Sequence, residues 1–286
     1  GVGFAPNEVI KQQIEETKAM TDGKFAINVT LSKAADENIE RITEIAEDNN
    51  IQYIYADNFE GLDRDFTKKW FDCWHSKGMI ILTKVATVKE ASIADECEAD
   101  VIIAKGREGG GHTSIEGTLA LVPQVVDATS HAVVVASGGI ADGRGFAAAI
   151  ALGAVGVEMG TVFMAATEGG IHKNVKQAVI NAADGDVVTT GASTGGPCWQ
   201  LHNDLSDRLN TIERENKRST AAPLVAKAAA SSLRIASVEG EINEKGAVMA
   251  GQVVPLVKSI RPVKDILESV YNDGNQVIHG LKKVAR

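Results

Sequence analysis

A chain of 286 residues is long enough for one α/β barrel or two ordinary domains, and 44% hydrophobic with 23% charged residues is a folded composition rather than a disordered one. A formal charge of −9 argues against a general nucleic-acid or anionic-membrane surface, and no apolar run is long enough to span a bilayer. No basic-then-apolar leader is seen and the three cysteines lack metal-ligand spacing, so a reduced, cytoplasmic setting is expected.

Residues 1–4 (GVGF) read as the end of a strand. Pro6 suits a first helical turn, and Val9, Ile10, Gln13, Ile14 and Thr17 trace a helical face to about Met20. Asp22 and Gly23 make a turn into a strand at 25–31. A polar helix follows at 36–49, with Ile39, Ile42 and Ile45 as its buried stripe, and then a β-branched and aromatic strand at 51–56. The helix at 63–77 carries Phe66, Trp70, Phe71 and Trp74, an aromatic stripe whose helical spacing reads as core. Gly78 ends it. Strand 79–85 and helix 87–98 then lead to a short apolar strand at 101–104.

That strand runs into KGREGGGHTS (105–114). Gly106, Gly109, Gly110 and Gly111 let the backbone approach a ligand with no Cβ in the way. His112 stands at the end of the loop, where a barrel or open α/β sheet keeps its chemistry. A loose loop with a surface histidine is the alternative, and a second glycine site weighs against it. After a helix at 118–128 and a strand at 131–136, Gly138 and Gly139 turn the chain beneath an expected ligand, and Asp142 caps a small-residue helix at 143–152. Strand 155–159 follows, and Gly160 and Thr161 open a short helix at 160–166. Two consecutive strand ends of this kind are where a barrel holds a phosphate, on amides, helix N-termini and a small hydroxyl. Tight helix–sheet packing is the competing explanation of these glycines.

Strict strand–helix alternation argues for a parallel sheet. Seven strands are counted and a closed barrel needs eight, so the expected fold is an α/β (β/α)8 TIM barrel lacking its first β/α unit, with a mostly helical cap. Residues 1–169 would form the barrel, 170–260 the cap and 261–286 a C-terminal helix packed on the barrel. Within the cap, helices are expected at 172–183, 203–218 and 221–230, a strand at 186–190 and a turn at 195–197. The apolar run 248–258 with its mid-segment glycine should pack inward, and residues 262–271 start the last helix, with Pro262 near its first turn.

The runs AKGREGGGHTS, ASGGIADGRGFAAAIALGAVGVEMGTVF and AVMAGQVVPLV resemble the family of nitronate monooxygenases and flavin-dependent, type II enoyl-acyl-carrier-protein reductases. The resemblance is strongest over residues 101–167 and extends to GVGFAPNEVI, FAINVTL and RPVKDILESVY. It implies FMN at the C-terminal mouth of the barrel. It implies Asn28 beside the flavin ring, Gly110 lining it, Gly138 and Gly139 at the phosphate, and Glu158, Met159, Gly160 and Thr161 as the phosphate-binding run. His112 matches the catalytic histidine over the flavin: the base that takes the proton α to a nitro group in one branch, and a group that orients substrate or supplies a proton in the other. Lys105 stands where the family has Gln or Glu, and a lysine there would hydrogen-bond a flavin carbonyl or stabilise an anionic ring. Other departures are Glu158 for Gln, YADNFEG at 55–61 for a glycine-rich loop, Gly196 and Trp199 for His and Arg, and the absence of a first strand with its glycine-methionine loop.

The expected activity is therefore an FMN oxidoreductase in which NAD(P)H reduces an enoyl thioester, a choice tilted by the segment GEINEKGAVMAGQVVPLV. The alternatives are a nitronate monooxygenase using O2, and a degenerate flavin-binding barrel without catalysis whose missing strand would expose sheet edges. Expected partners are a small-molecule or acyl-thioester substrate, acyl carrier protein and a second copy of the chain; nucleic acid and membrane are not. His75, His131, His172, His202 and His279 are scattered without metal spacing, so no metal is expected.

Overall fold

Alternating apolar periods of 3.6 and 2 residues make alternating helices and strands. In this computed structural model, the structure describes residues 5–58 and 60–284; the strand end expected at residues 1–4 lies outside them. The chain forms two compact units, one from the residues up to Ala104 with Leu121–Val135, the other from Lys105–Ala120 with the residues from Ala136 onward.

The first unit begins with α1 (Asn7–Met20), then β1 (Ala26–Thr30), α2 (Asp36–Asp48), β2 (Tyr53–Asp57), α3 (Arg64–Ser76), β3 (Ile80–Val85), α4 (Val88–Glu96) and β4 (Val101–Lys105). The four strands pair in parallel, with Asn28 beside Tyr55, Tyr55 beside Leu82 and Leu82 beside Val101. Each parallel step needs a crossover, which the helices supply. Ile27, Val29, Ile54, Ile81 and Ile102 fill the core from the strands, and Ile39, Ile42 and Ile45 do so from α2 as expected. Trp70, Phe71 and Trp74 are also core. Their polar edges are satisfied, since the Trp74 indole N–H donates to Thr43 Oγ1 at 2.8 Å and that of Trp70 to Asp36 at 2.8 Å.

The next elements are β5 (Gly111–His112), α5 (Thr118–Ala128), β6 (Val133–Ser137), α6 (Gly143–Ala151), β7 (Gly156–Glu158) and α7 (Thr161–Met164). Strand β6 begins two residues later than expected. The Asp95 carboxylate accepts the backbone N–H groups of Ser130, His131 and Ala132 at 2.8–2.9 Å and holds them in a bend. The parallel sheet runs β1-β2-β3-β4-β6-β7, the order that consecutive strands of a (β/α) barrel take. Among the described residues this α/β sheet is not closed into a barrel.

Beyond residue 170 come α8 (Lys173–Asn181), β8 (Val187–Thr190), β9 (Cys198–Leu201), α9 (Asp204–Glu215), α10 (Arg218–Ala228), α11 (Ser232–Arg234) and α12 (Val263–Val284). The segment is largely helical, and the strand expected at 186–190 is present as β8; what the sequence did not indicate is that β9 joins β8 and β5 in a three-stranded antiparallel sheet. Strand β9 is CWQL, without a β-branched residue, and its four residues follow a glycine-glycine-proline turn that dominates the local signal. The last helix runs from Val263 to Val284, inside the C-terminal helix expected over 261–286. The Tyr271 ring of α12 lies 6.3 Å from that of Phe146 in α6, where α12 packs. The run after residue 247 packs inward as its composition implied, with Val248, Ala250, Val253, Val254 and Val257 buried. No described helix is long and apolar enough to cross a membrane.

Candidate active site

Lys105 closes β4 and turns its ammonium back on the loop it precedes. Nζ donates to the carbonyl of His112 at 2.6 Å and to that of Gly110 at 3.1 Å. The loop is held elsewhere too. Gly106 N–H donates to Ser137 O at 2.9 Å. The Glu108 carboxylate accepts the Thr118 amide at 2.9 Å, and the Thr118 hydroxyl lies 2.8 Å from the same carboxylate. That places a negative charge at the N-terminus of α5, where the helix dipole favours it. The loop is a fixed structure rather than a loose one. Glu108 and Thr118 were not legible as its anchors, because their pairing spans a loop whose glycines carry no spacing signal.

Gly110 is pressed against the segment 248–252. A Cβ on Gly110 would lie 2.7 Å from the Gly251 amide nitrogen, and one on Gly251 would lie 2.5 Å from the Glu108 carbonyl oxygen. Gly251 N–H donates to Thr161 Oγ1 at 3.0 Å, and Gln252 N–H donates to Glu108 O at 2.9 Å. The glycine loop and the start of α7 are thus joined through one residue of a distant segment. Val248, Ala250, Val253 and Val254 seal the join in a cluster with Val162, Ala165 and Ala166. Met159, expected in the phosphate run, packs its side chain against that cluster.

Gly138 and Gly139, at the end of β6, have φ of +97° and +71°, a reversal that L side chains rarely adopt. On their Cβ sides lie Thr118 Oγ1 and the Glu108 side chain. Gly160 differs, since nothing lies within 4 Å of where its Cβ would stand. Beside it, the buried Thr161 hydroxyl accepts from Gly251 and keeps its own proton to donate. Glu158 ends β7, half-buried. Asp142 caps α6, accepting from the Arg144 amide at 2.9 Å. Burial pushes its carboxyl up, but Arg144 and the amides outweigh that and hold it below the usual carboxylate range. The residues around Thr161 fit a phosphate monoester, which needs open space bordered by donors with no side chain in the way.

His112 is exposed and sits on β5, directly across from Cys198 on β9. Its ring lies against Gly196: a Cβ there would stand 2.9 Å from Cδ2 and 3.0 Å from Nε2. Thr113 N–H donates to Pro197 O at 2.8 Å and Trp199 Nε1 to Arg107 O at 2.7 Å, fixing the strand pair. The small Gly196, one departure noted in the sequence, leaves room for the His112 ring, and Trp199, another, ties β9 to Arg107. His112 borders a cavity of about 300 Å³ lined also by Thr190, Cys198, Gln200, Leu209 and Val225. Burial pushes the Cys198 thiol up despite the nearby Lys105 charge, which keeps it protonated and a poor nucleophile.

The structure brings Lys105, Gly110, His112 and Thr161 into one hydrogen-bonded and packed arrangement within the second unit. Asn28 belongs to the first unit, half-buried on β1 beside Tyr55. No cluster of His, Cys, Asp or Glu among the described residues could hold a metal ion.

Comparison with known proteins gives a consistent family. A family model described as nitronate monooxygenase matches residues 2–273. A Staphylococcus aureus (strain JH9) protein named "Probable nitronate monooxygenase" is 26% identical over 97% of this chain and 87% of its own length. One of the same name from Staphylococcus saprophyticus is 39% identical over 148 residues, 48% of this chain and 41% of that protein. Among solved structures, FabK from Thermotoga maritima is 31% identical with a TM-score of 0.89, covering 99% of this chain and 86% of that one.

Proposed function

The chain belongs to the nitronate monooxygenase family, as an FMN-dependent oxidoreductase, and we propose that its own reaction is the reduction of an enoyl thioester with NAD(P)H as donor. The observation that supports this branch best is the 31% identity with FabK, an enoyl-acyl-carrier-protein reductase, across almost the whole chain.

FMN, when bound, would supply the hydride-transfer chemistry between a nicotinamide and the β-carbon of the thioester. The protein binds, orients and shields. Thr161 and the open side of Gly160 would hold the phosphate. Gly110 would let the flavin lie close to the loop. Lys105 keeps the carbonyls of Gly110 and His112 turned inward, so the imidazole is presented from a fixed backbone. His112 would then orient the thioester carbonyl or deliver a proton to the α-carbon as the enolate collapses. Gly138, Gly139, Glu158 and Met159 complete the proposed cofactor set in this unit, the glycine pair and Met159 by shaping the wall. Acyl carrier protein as the acyl donor, a homodimer and a cytoplasmic setting belong to the same proposal.

The second reading, a nitronate monooxygenase, is favoured by the names of the Staphylococcus relatives. There His112 would take the proton α to the nitro group. The two are separated by substrate: NAD(P)H consumption with a crotonyl thioester against oxygen uptake with a nitronate. Oxygen uptake with nitronate alone would overturn the reductase proposal.

A further inference from the structure

Helices α9 and α10 and the loop before Gly246 border a groove of about 400 Å³ that the proposed reaction leaves unused. Each contributes one exposed cation: Arg208, Lys227 and Lys245. No acidic side chain lines the groove, and none of the three cations forms an ion pair or a side-chain hydrogen bond among the described residues. Of the acids beside them in sequence, Asp207 meets His202 at 2.8 Å, Glu241 accepts four backbone amides, and Glu244 does not line the groove. Three like charges facing one recess repel each other, and a recess lined by one sign draws in the opposite one. On a chain of net charge −9, such a recess admits anions that the rest of the surface repels. Its remaining wall is apolar, with Leu224, Ala228 and Ile235, so the ligand that fits is an anion with an uncharged arm rather than a bare ion.

We propose that this groove binds the phosphate end of the pantetheine arm on which an enoyl thioester is carried, which rests on reading the reaction as enoyl-thioester reduction. Arg208, Leu224 and Ala228 face the groove. The residues that follow them, Leu209, Val225 and Ala229, line the cavity beside His112, so the two recesses adjoin along α9 and α10. A thioester held at His112 thus has a cationic recess next to it for the phosphate of its carrier. Arg208 offers a planar fork and the two lysines offer point charges, all donors suited to phosphate oxygens. Coenzyme A and carrier proteins share this arm, and the site serves either.

The test is calorimetric binding of phosphopantetheine and pantetheine, which differ by the phosphate alone, to the FMN-loaded protein at low salt. Phosphopantetheine should bind about tenfold tighter or more, since each exposed charge pair gives up to roughly fivefold. Added salt should shrink the preference. The triple variant Arg208→Gln, Lys227→Gln, Lys245→Gln should bind both probes alike, with its urea midpoint unchanged because all three side chains are exposed. In turnover it should raise KM for crotonyl-coenzyme A and leave that for crotonyl-N-acetylcysteamine, which has no phosphate, as it was. Coenzyme A bound no tighter than phosphopantetheine assigns the site to a protein-borne arm, and tighter binding assigns it to coenzyme A; both uphold it. Equal binding of phosphopantetheine and pantetheine, a preference that survives in the triple variant, or a rise in KM for NADPH in place of the thioester would overturn it. The comparison of probes on the unaltered protein needs no variant to fold. It also needs no turnover, so a failed reductase assay with a retained phosphate preference would sink the proposed reaction and leave the groove.

Discussion

Gly251 donates its backbone N–H to the Thr161 hydroxyl at 3.0 Å, and through that bond a segment from near the end of the chain closes the candidate cofactor site. The contact is possible because neither Gly251 nor Gly110 has a side chain. Residues 110, 161 and 251 are remote in sequence, yet one backbone crossing decides how all three sit.

Gly251→Ala should therefore be damaging. Its Cβ would meet the Glu108 carbonyl oxygen at 2.5 Å and the Gly110 amide nitrogen at 2.8 Å, both main-chain atoms that cannot swing away. We expect a loss of about 1–3 kcal/mol, the usual cost of overpacking, together with weaker flavin binding. Gly160→Ala is the contrast, since its Cβ enters open space: stability should stay within about 0.5 kcal/mol while flavin affinity falls. Urea midpoints and flavin titrations of the pair check this. Equal effects of both variants on stability would contradict it.

Lys105→Met should lower turnover by about tenfold or more, a barrier change of about 1.4 kcal/mol, with flavin content retained. Lys105 holds the carbonyl of His112 itself and that of Gly110 two residues before it, so its loss frees the loop rather than removing a ligand. Lys105→Arg keeps the charge and should recover part of the rate. A full loss of bound flavin in Lys105→Met would instead make Lys105 a direct cofactor ligand.

Gly196→Ala should act like a change at His112 itself. The added methyl group would lie within 3.0 Å of the imidazole, so the ring must move. Turnover is expected to fall about tenfold or more with the unfolding midpoint unchanged, in the range typical for a misplaced acid–base group. His112→Ala should remove most of the remaining rate, and the double variant should be no slower than His112→Ala alone. Additive losses would show that Gly196 acts elsewhere.

Glu241 gives a pH signature. Its carboxylate accepts the backbone N–H groups of Asn243, Glu244, Lys245 and Gly246 at 2.7–2.8 Å, just before the segment that meets the glycine loop. Burial pushes its carboxyl up, but the four amides outweigh this and hold it below the usual carboxylate range. A depressed folded-state pKa contributes stability that is full above the unfolded-state value and is lost as pH falls through the folded one. The gap in urea midpoint between the unaltered protein and Glu241→Gln should be widest at neutral pH and shrink on acidification. A gap independent of pH would contradict this.

Much of the fold was legible because it rests on local periodicity. The stripe of Ile39, Ile42 and Ile45, the aromatic face of α3 and the Asp142 cap all appear where the sequence places them. The antiparallel sheet was not legible, since β5 has two residues and β9 lacks β-branched side chains. Of the site, the glycine loop and His112 were marked by composition. The roles of Gly251 and Glu108 were not: Gly251 meets Thr161 from 90 residues away, and Glu108 reaches Thr118 across a loop whose glycines carry no spacing signal. A mid-segment glycine in an otherwise apolar run was the one available hint of Gly251.

The most direct test is anaerobic NAD(P)H oxidation by the FMN-loaded protein with a crotonyl thioester, set beside oxygen uptake with a nitronate. The account predicts thioester-dependent oxidation well above that of free FMN, lost in His112→Ala. Oxidation no faster than with free flavin, with nitronate-dependent oxygen uptake instead, would contradict it.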